Sequence, residues 1–214
     1  MVENKAISVY KLFTNGEPIE YFKGEIVVDG ISETKSVYYI EKGYIKVYSI
    51  SNEGEELIKV IGGPGDVFPF VRAYLGSQTS LFYEAMDKVF VWRITSNQFQ
   101  SYIHMSIEQS NLMAKKLARQ YAILVNRIDN LEYKKASDRI AYCLLILAQR
   151  FGISIQEGIL IDAPLTHDVL ANTVKLARES VSRELERLEG LGIIDRQGRY
   201  IVIKQTEQLS TVFK

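Results

Sequence analysis

The apolar rhythm of this chain changes near residue 95. Up to there, short runs alternate with a period of about two; beyond it, apolar residues recur with a period of about three and a half. The early runs include Glu25-Ile26-Val27-Val28, Val37-Tyr38-Tyr39-Ile40, Tyr44-Ile45-Lys46-Val47-Tyr48, Leu57-Ile58-Lys59-Val60-Ile61 and Val89-Phe90-Val91-Trp92. Turn signals separate them: Asp29-Gly30, Lys42-Gly43, Asn52-Glu53-Gly54 and Gly62-Gly63-Pro64-Gly65-Asp66. β-Branched and aromatic side chains suit a pleated, half-buried surface. Many short, evenly spaced strands predict an antiparallel barrel or roll over residues 1–96.

The helical half opens with Ser96 or Asn97, whose side chains can accept a bond from an otherwise unpaired backbone N–H. A short helix is predicted over Asn97–Ile103 and a longer one from Ser106 to Tyr133. On the longer helix, Ile107, Ser110, Ala114, Leu117, Tyr121, Leu124, Ile128 and Leu131 follow alternating steps of three and four, a heptad stripe. A seam of Ala114, Leu117, Tyr121, Leu124, Ile128 and Leu131 predicts parallel dimerisation. Packing of the stripe on the β domain is the alternative, because Ile123 and Val125 widen the apolar face. Residues 97–133 thus read as a helical linker. A further helix is predicted over Ser137–Phe151, with Ile140, Cys143, Leu144, Leu147 and Phe151 on one face and Gly152 as its C′ terminator.

Composition excludes several classes. Lys plus Arg and Asp plus Glu are each 26 among 214 residues, so the net charge is zero and any nucleic-acid contact must come from a local patch. One cysteine, Cys143, allows neither an internal disulfide nor four thiolates for an iron–sulfur cluster. It reads as a core thiol in a chain of the reducing cytoplasm. The two histidines, His104 and His167, fall in no predicted strand, which argues against a cupin-type metalloenzyme and leaves haem without an evident pair of ligands. No 18-residue apolar stretch predicts a membrane span, and the first residues do not read as a secretory leader.

The segment from Pro164 is the most specific. Thr166 is a plausible N-cap; Val169, Leu170 and Val174 share one apolar face, and Ala171 is small where two helices cross. After a turn at Thr173–Leu176, a second helix from Ala177 to Gly190 turns Val181, Leu185 and Leu188 inward. Ile193 to Ile203 alternates around Gln197-Gly198, a hairpin. Two short helices, a turn and a hairpin predict a winged helix-turn-helix over residues 134–214. Arg178, Glu179, Ser182 and Arg183 occupy the outer face of its second helix. Arginine's fork matches guanine O6 and N7, and glutamate accepts from cytosine N4. A solvated face with a Glu179–Arg183 ion pair is the alternative. Thr166, Ser180, Arg196 and Arg199 are the phosphate candidates. Seven bases against six acids between Pro164 and Lys204 is a modest surplus, so binding should be salt-dependent and rely on a concentrated patch.

These residues carry a family resemblance. Residues 164–204 are similar to the DNA-binding domain of the catabolite-activator/fumarate-nitrate-reductase (Crp/Fnr) regulators, and Arg178-Glu179-Ser180-Val181-Ser182-Arg183 resembles their recognition helix. Phe22-Lys23-Gly24-Glu25, Tyr39-Ile40-Glu41-Lys42-Gly43-Tyr44-Ile45-Lys46-Val47 and Gly63-Pro64-Gly65-Asp66-Val67-Phe68 resemble the turns of the family's cyclic-nucleotide-type β-roll. The resemblance implies an α+β chain: an N-terminal antiparallel β-roll (a double-stranded β-helix), a long dimerisation helix and a C-terminal winged helix-turn-helix. It implies a homodimeric bacterial transcription regulator and not an enzyme. Its partners would be palindromic double-stranded DNA with half-sites resembling TGTGA or TTGAT and, if it activates, RNA polymerase. Arg183 and Glu179 would read the inner G·C pair, and Arg178 a second guanine.

Departures from the family bear on the effector. Where its cyclic-nucleotide branch has a Gly-Glu pair, this chain has Pro69 and Phe70; where that branch has Arg-Ser, it has Ser80 and Leu81. The Thr-Ser pair that meets adenine becomes Leu124 and Val125. A buried phosphate without partners costs several kcal/mol, so cAMP and cGMP are not expected. The mapped pocket is Phe68, Phe70, Val71, Arg72, Leu81 and Tyr83, with Tyr121, Leu124 and Val125 from the long helix. It would take a small apolar or aromatic molecule, or an acid paired with Arg72 or Arg119. The alternative is an empty, collapsed pocket in an effector-independent regulator or interaction module. Two departures fall in the DNA domain: Lys175 replaces a glycine at an expected left-handed position, and Ala177 replaces a hydroxyl residue at an expected N-cap.

Overall fold

The structure, a computed structural model, describes residues 9–31, 35–76 and 79–211; residues 1–8, the start of the segment read as no leader, lie outside these. The chain divides into two compact units between Tyr121 and Ala122, inside the long helix.

In the first unit, the alternating runs form two four-stranded antiparallel sheets. One has β1 (Glu17–Tyr21), β8 (Val89–Thr95), β3 (Ser36–Lys42) and β6 (Val67–Phe68) in that order. The other has β2 (Ile26–Val28), β7 (Phe82–Ala85), β4 (Ile45–Ile50) and β5 (Glu56–Gly62). Alternation along each strand separates two apolar clusters. Tyr38, Ile40, Phe68, Val89 and Val91 of the first sheet meet Val28, Ile45, Val47, Tyr83 and Ala85 of the second. Their neighbours Val37, Val67 and Ile94 face the other way, onto helices. The β3–β4 turn requires Gly43: its φ is +82°, and a Cβ there would lie 2.4 Å from the Lys88 carbonyl oxygen.

The outer cluster is covered by helical residues 9–13 and by α1 (Phe70–Leu75), α2 (Ser96–His104) and α3 (Ile107–Glu132). Phe13, Phe70, Phe99, Tyr102, Ile103 and Met113 are buried there. The cap of α2 is Thr95, one residue ahead of the predicted Ser96 or Asn97. Its hydroxyl accepts from Gln98 N while Gln98 Oε1 accepts from Thr95 N, a capping box that satisfies two donors reciprocally.

The second unit contains the end of α3 and then α4 (Ala136–Phe151), the hairpin β9 (Gly152–Ile155) and β10 (Gly158–Ile161), α5 (His167–Val174), α6 (Arg178–Gly190), the hairpin β11 (Ile194–Gln197) and β12 (Tyr200–Ile203), and α7 (Thr206–Thr211). Its sheet order is β11-β12-β10-β9. Ile140, Leu144, Leu170, Val174, Val181, Leu185, Leu188, Val202 and Leu209 make the core. Gly152 does not end α4 in the left-handed manner expected. It is extended (φ −75°, ψ 131°), and α4 runs straight into β9. Glycine is required there by space: a Cβ would sit 2.2 Å from the Ala148 carbonyl oxygen.

Candidate nucleic-acid interface and interior of the double sheet

The α5–α6 pair has the predicted helix-turn-helix geometry. Thr166 caps α5 by accepting from Val169 N at 3.2 Å. The turn passes through Lys175 at φ 53°, ψ 56°, a left-handed non-glycine residue. Ala177 starts α6 with no side-chain cap. Val181, Leu185 and Leu188 bury one face of α6, each side chain contributing about 1.5–3 kcal/mol of burial. That burial fixes the opposite face outward. Arg178, Glu179 and Arg183 are exposed on it, and Ser182 is half-buried.

Local contacts steer these side chains without removing them from solvent. Arg178 Nε lies 3.5 Å from Asp168 Oδ1 of α5, Arg183 Nε donates to the Glu179 carbonyl at 3.3 Å, and Ser182 Oγ donates to Glu186 at 3.0 Å. Arg183 therefore turns back on the backbone of Glu179 and not on its carboxylate, and the alternative Glu179–Arg183 ion pair does not form. The four base-reading candidates share one surface.

The phosphate candidates divide. Thr166 is exposed at the start of α5, Ser180 is half-buried near the start of α6, and Arg199 is exposed at the wing turn, stacked over Tyr200. Arg196 behaves differently. Its Nε and Nη2 reach Glu189 Oε2 at 2.8 and 2.6 Å, and its Nη1 lies 3.1 Å from His167 Nε2. An arginine so engaged braces the wing against α6 and does not stand out as a phosphate contact. Sequence reasoning missed His167 and Glu189 because they are far from Arg196 along the chain.

Arg139 was also missed. Its Nε donates to the Tyr133 carbonyl at 2.7 Å and its Nη2 to the Leu131 carbonyl at 3.2 Å, at the end of α3. Its Nη1 reaches the Val174 and Lys175 carbonyls at 3.4 Å each. Buried Asn130 donates to the Arg139 carbonyl at 2.8 Å. One guanidinium thus serves the C-terminal carbonyls of α3 and of α5.

The mapped effector pocket does not assemble as a set. Phe68 and Tyr83 are buried inside the double sheet with half-buried Leu81 beside them. Tyr38, Phe68 and Tyr83 stack in series, with centroids 5.3 and 5.1 Å apart. Phe70 is corrected: it lies in the other cluster, packed edge-on against Phe99, because α1 follows β6 on the sheet's outer side. Val71 is corrected too, being 48% exposed. Arg72 is buried, and its guanidinium donates to the carbonyls of Thr79 (2.8 Å), Asp29 and Gly30 (3.4 Å each). Burial pushes the Tyr83 phenol up to about 12 against the opposing pull of Arg72. On α3, Tyr121 and Leu124 are exposed and Val125 is half-buried.

An antiparallel double sheet, a long helix and a winged helix-turn-helix define the class of winged-helix DNA-binding proteins. Comparison with known proteins narrows it. The family model described as a cyclic nucleotide-binding domain matches residues 18–106, and that described as a Crp-like helix-turn-helix domain matches residues 138–212. The Electron transport regulator A of Shewanella oneidensis is 30% identical over 91% of this chain and 76% of its own length. The Global nitrogen regulator of Synechococcus elongatus is 25% identical over 99% and 98%. The structure of FixK2 from Bradyrhizobium japonicum superposes with a TM-score of 0.82 at 22% identity, over 93% and 98% of the two chains. The chain belongs to the Crp/Fnr family of DNA-binding transcription regulators. Its relatives are regulators rather than enzymes, and among the described residues no helix is long and apolar enough to cross a membrane.

Proposed function

We propose that this regulator acts as a homodimer that places two α6 helices in successive major grooves of a palindromic site, about one helical turn (~34 Å) apart. The carrying observation is the outward set Arg178, Glu179, Ser182 and Arg183, held by the buried triad behind it. Arg183 and Glu179 read a G·C pair, Arg178 reads a second guanine, and Thr166, Ser180 and Arg199 meet phosphates. Replacing Arg183 with Ala should weaken binding to the selected palindrome by about 1–3 kcal/mol and relax specificity at one position. An equal loss on random duplex would reduce Arg183 to a phosphate contact.

The α3 stripe supports the dimer. Ala114, Leu117, Tyr121, Leu124 and Ile128 are exposed, Tyr121 to 70% and Ile128 to 59%, with Leu131 half-buried. A heptad seam that leaves its apolar face in water calls for a second copy. Leu124→Glu should convert the dimer to monomer by sedimentation and abolish tight binding to the palindrome. A dimer of unchanged mass would remove the seam from the account.

The effector of this reading is a small apolar or aromatic molecule and not cAMP or cGMP. Pro69 can donate no N–H, Phe70 is turned into an apolar cluster, and Arg72 is engaged with backbone carbonyls. The Tyr38–Phe68–Tyr83 stack favours a second reading, in which the interior is a filled core and regulation needs no ligand. Thermal shift with cAMP and with a panel of aromatic acids separates the two. A shift by cAMP would overturn both.

A further inference from the structure

We propose that His167 is a DNA-phosphate contact that engages only when protonated, so that each DNA-binding unit takes up a proton on binding; this rests on the DNA-binding reading above. The starting observation is the chain His167–Arg196–Glu189. Arg196 Nη1 lies 3.1 Å from His167 Nε2. A guanidinium has no lone pair to offer and does not give up its proton. The contact therefore requires His167 Nε2 as acceptor, and a neutral imidazole.

Protonation removes that acceptor and sets two cations against each other. Glu189 is committed to the guanidinium, its Oε2 accepting from both Nε and Nη2 of Arg196, so it pairs Arg196 and not the imidazole. The cleft around His167 is about 470 Å³ and open, bounded by Thr166 and His167 of the α5 start, by Arg196 of β11 and by Gly198 and Arg199 of the wing turn. The charged groups facing His167 are Arg196 from β11, Glu189 from α6 and Arg199 from the wing; Asp168 adjoins it on α5. Asp168 reaches toward Arg178 at 3.5 Å, so this end of α5 lies beside the start of the base-reading helix. A protonated His167 released from Arg196 thus becomes a cation next to Thr166 and Arg199, at the edge of the surface assigned to DNA. A phosphate entering the cleft supplies the missing anion and holds the imidazolium.

Histidine is the side chain whose charge ordinarily changes between about pH 5 and 8, and this chain has only one other, His104. His104 stacks on Tyr74 in the first unit, remote in sequence from the wing. The experiment measures anisotropy of a labelled duplex, selected by the protein from a random library, between pH 6 and 8 at constant ionic strength. The full chain should bind at least about tenfold more tightly at pH 6 than at pH 8. His167→Gln should bind weakly with no such dependence, and His167→Lys should bind tightly at both ends of the range. His104→Gln and Arg183→Ala should keep the wild-type slope, Arg183→Ala at lower affinity. A wild-type slope retained by His167→Gln, or a flat wild-type profile, overturns the proposal while leaving DNA binding intact. Absence of binding at every pH overturns the DNA-binding reading and this one with it.

Discussion

Single residues in the helix-turn-helix carry local costs that the rest of the fold offsets. Lys175 holds a left-handed conformation that a Cβ makes unfavourable by about 1–2 kcal/mol, of which glycine's greater freedom when unfolded returns part. Lys175→Gly should therefore stabilise the chain by about 0.5–1 kcal/mol. Ala177→Ser, placed in extended backbone at the start of α6, should add about 1 kcal/mol by capping it. Chemical denaturation of the two variants and the double checks both values. An unchanged midpoint for Lys175→Gly would mean that the strain is absorbed elsewhere, and Arg139, which donates to the Lys175 carbonyl, is the contact to examine.

At the scale of elements, Arg139 joins helices that short-range interactions leave separate. Helix ends expose carbonyls with no partner in their own helix. Here one guanidinium satisfies those of α3 and of α5, and Asn130 holds the start of α4 to the end of α3. Arg139→Ala should cost about 1–3 kcal/mol, since it leaves several carbonyls short of a donor. Hydrogen exchange should show faster opening at Leu131–Lys135 and around Lys175 together. Faster exchange at only one of these places would show that the arginine does not link them.

For the whole molecule, the buried aromatic and thiol groups set an alkaline limit. Tyr21 and Tyr83 are pushed from 10.0 to about 12, chiefly by burial. Cys143 is pushed from 9.0 to about 12 by burial that outweighs the attraction of Arg127. Each is an acid whose neutral form the fold favours, so its contribution is complete below its unfolded value and is lost as pH rises toward 12. The stability these three groups contribute should be constant below pH 9 and fall between pH 9 and 12. Circular dichroism against pH tests this, and a transition complete below pH 9 would contradict it. The same burial predicts a Cys143 thiol that alkylates only on unfolding.

Much of the outward face of α6 was legible from the chain alone, because its determinants lie within a few residues. Val181, Leu185 and Leu188 recur at helical spacing, so the positions between them had to face outward. The apolar stripe of α3 followed in the same way, whereas the left-handed Lys175 and the uncapped Ala177 were implied by the resemblance to the Crp/Fnr helix-turn-helix. The interior of the double sheet was not legible. Phe68 and Phe70 stand two residues apart and looked like one pocket, yet a change from strand to helix between them sends them into different clusters. Arg196 looked like a phosphate contact until Glu189 and His167, 7 and 29 residues away, took up its guanidinium. Periodicity decides which face a residue joins within one element. Packing of elements distant in sequence decides which side chains then meet, and so which charges stay exposed.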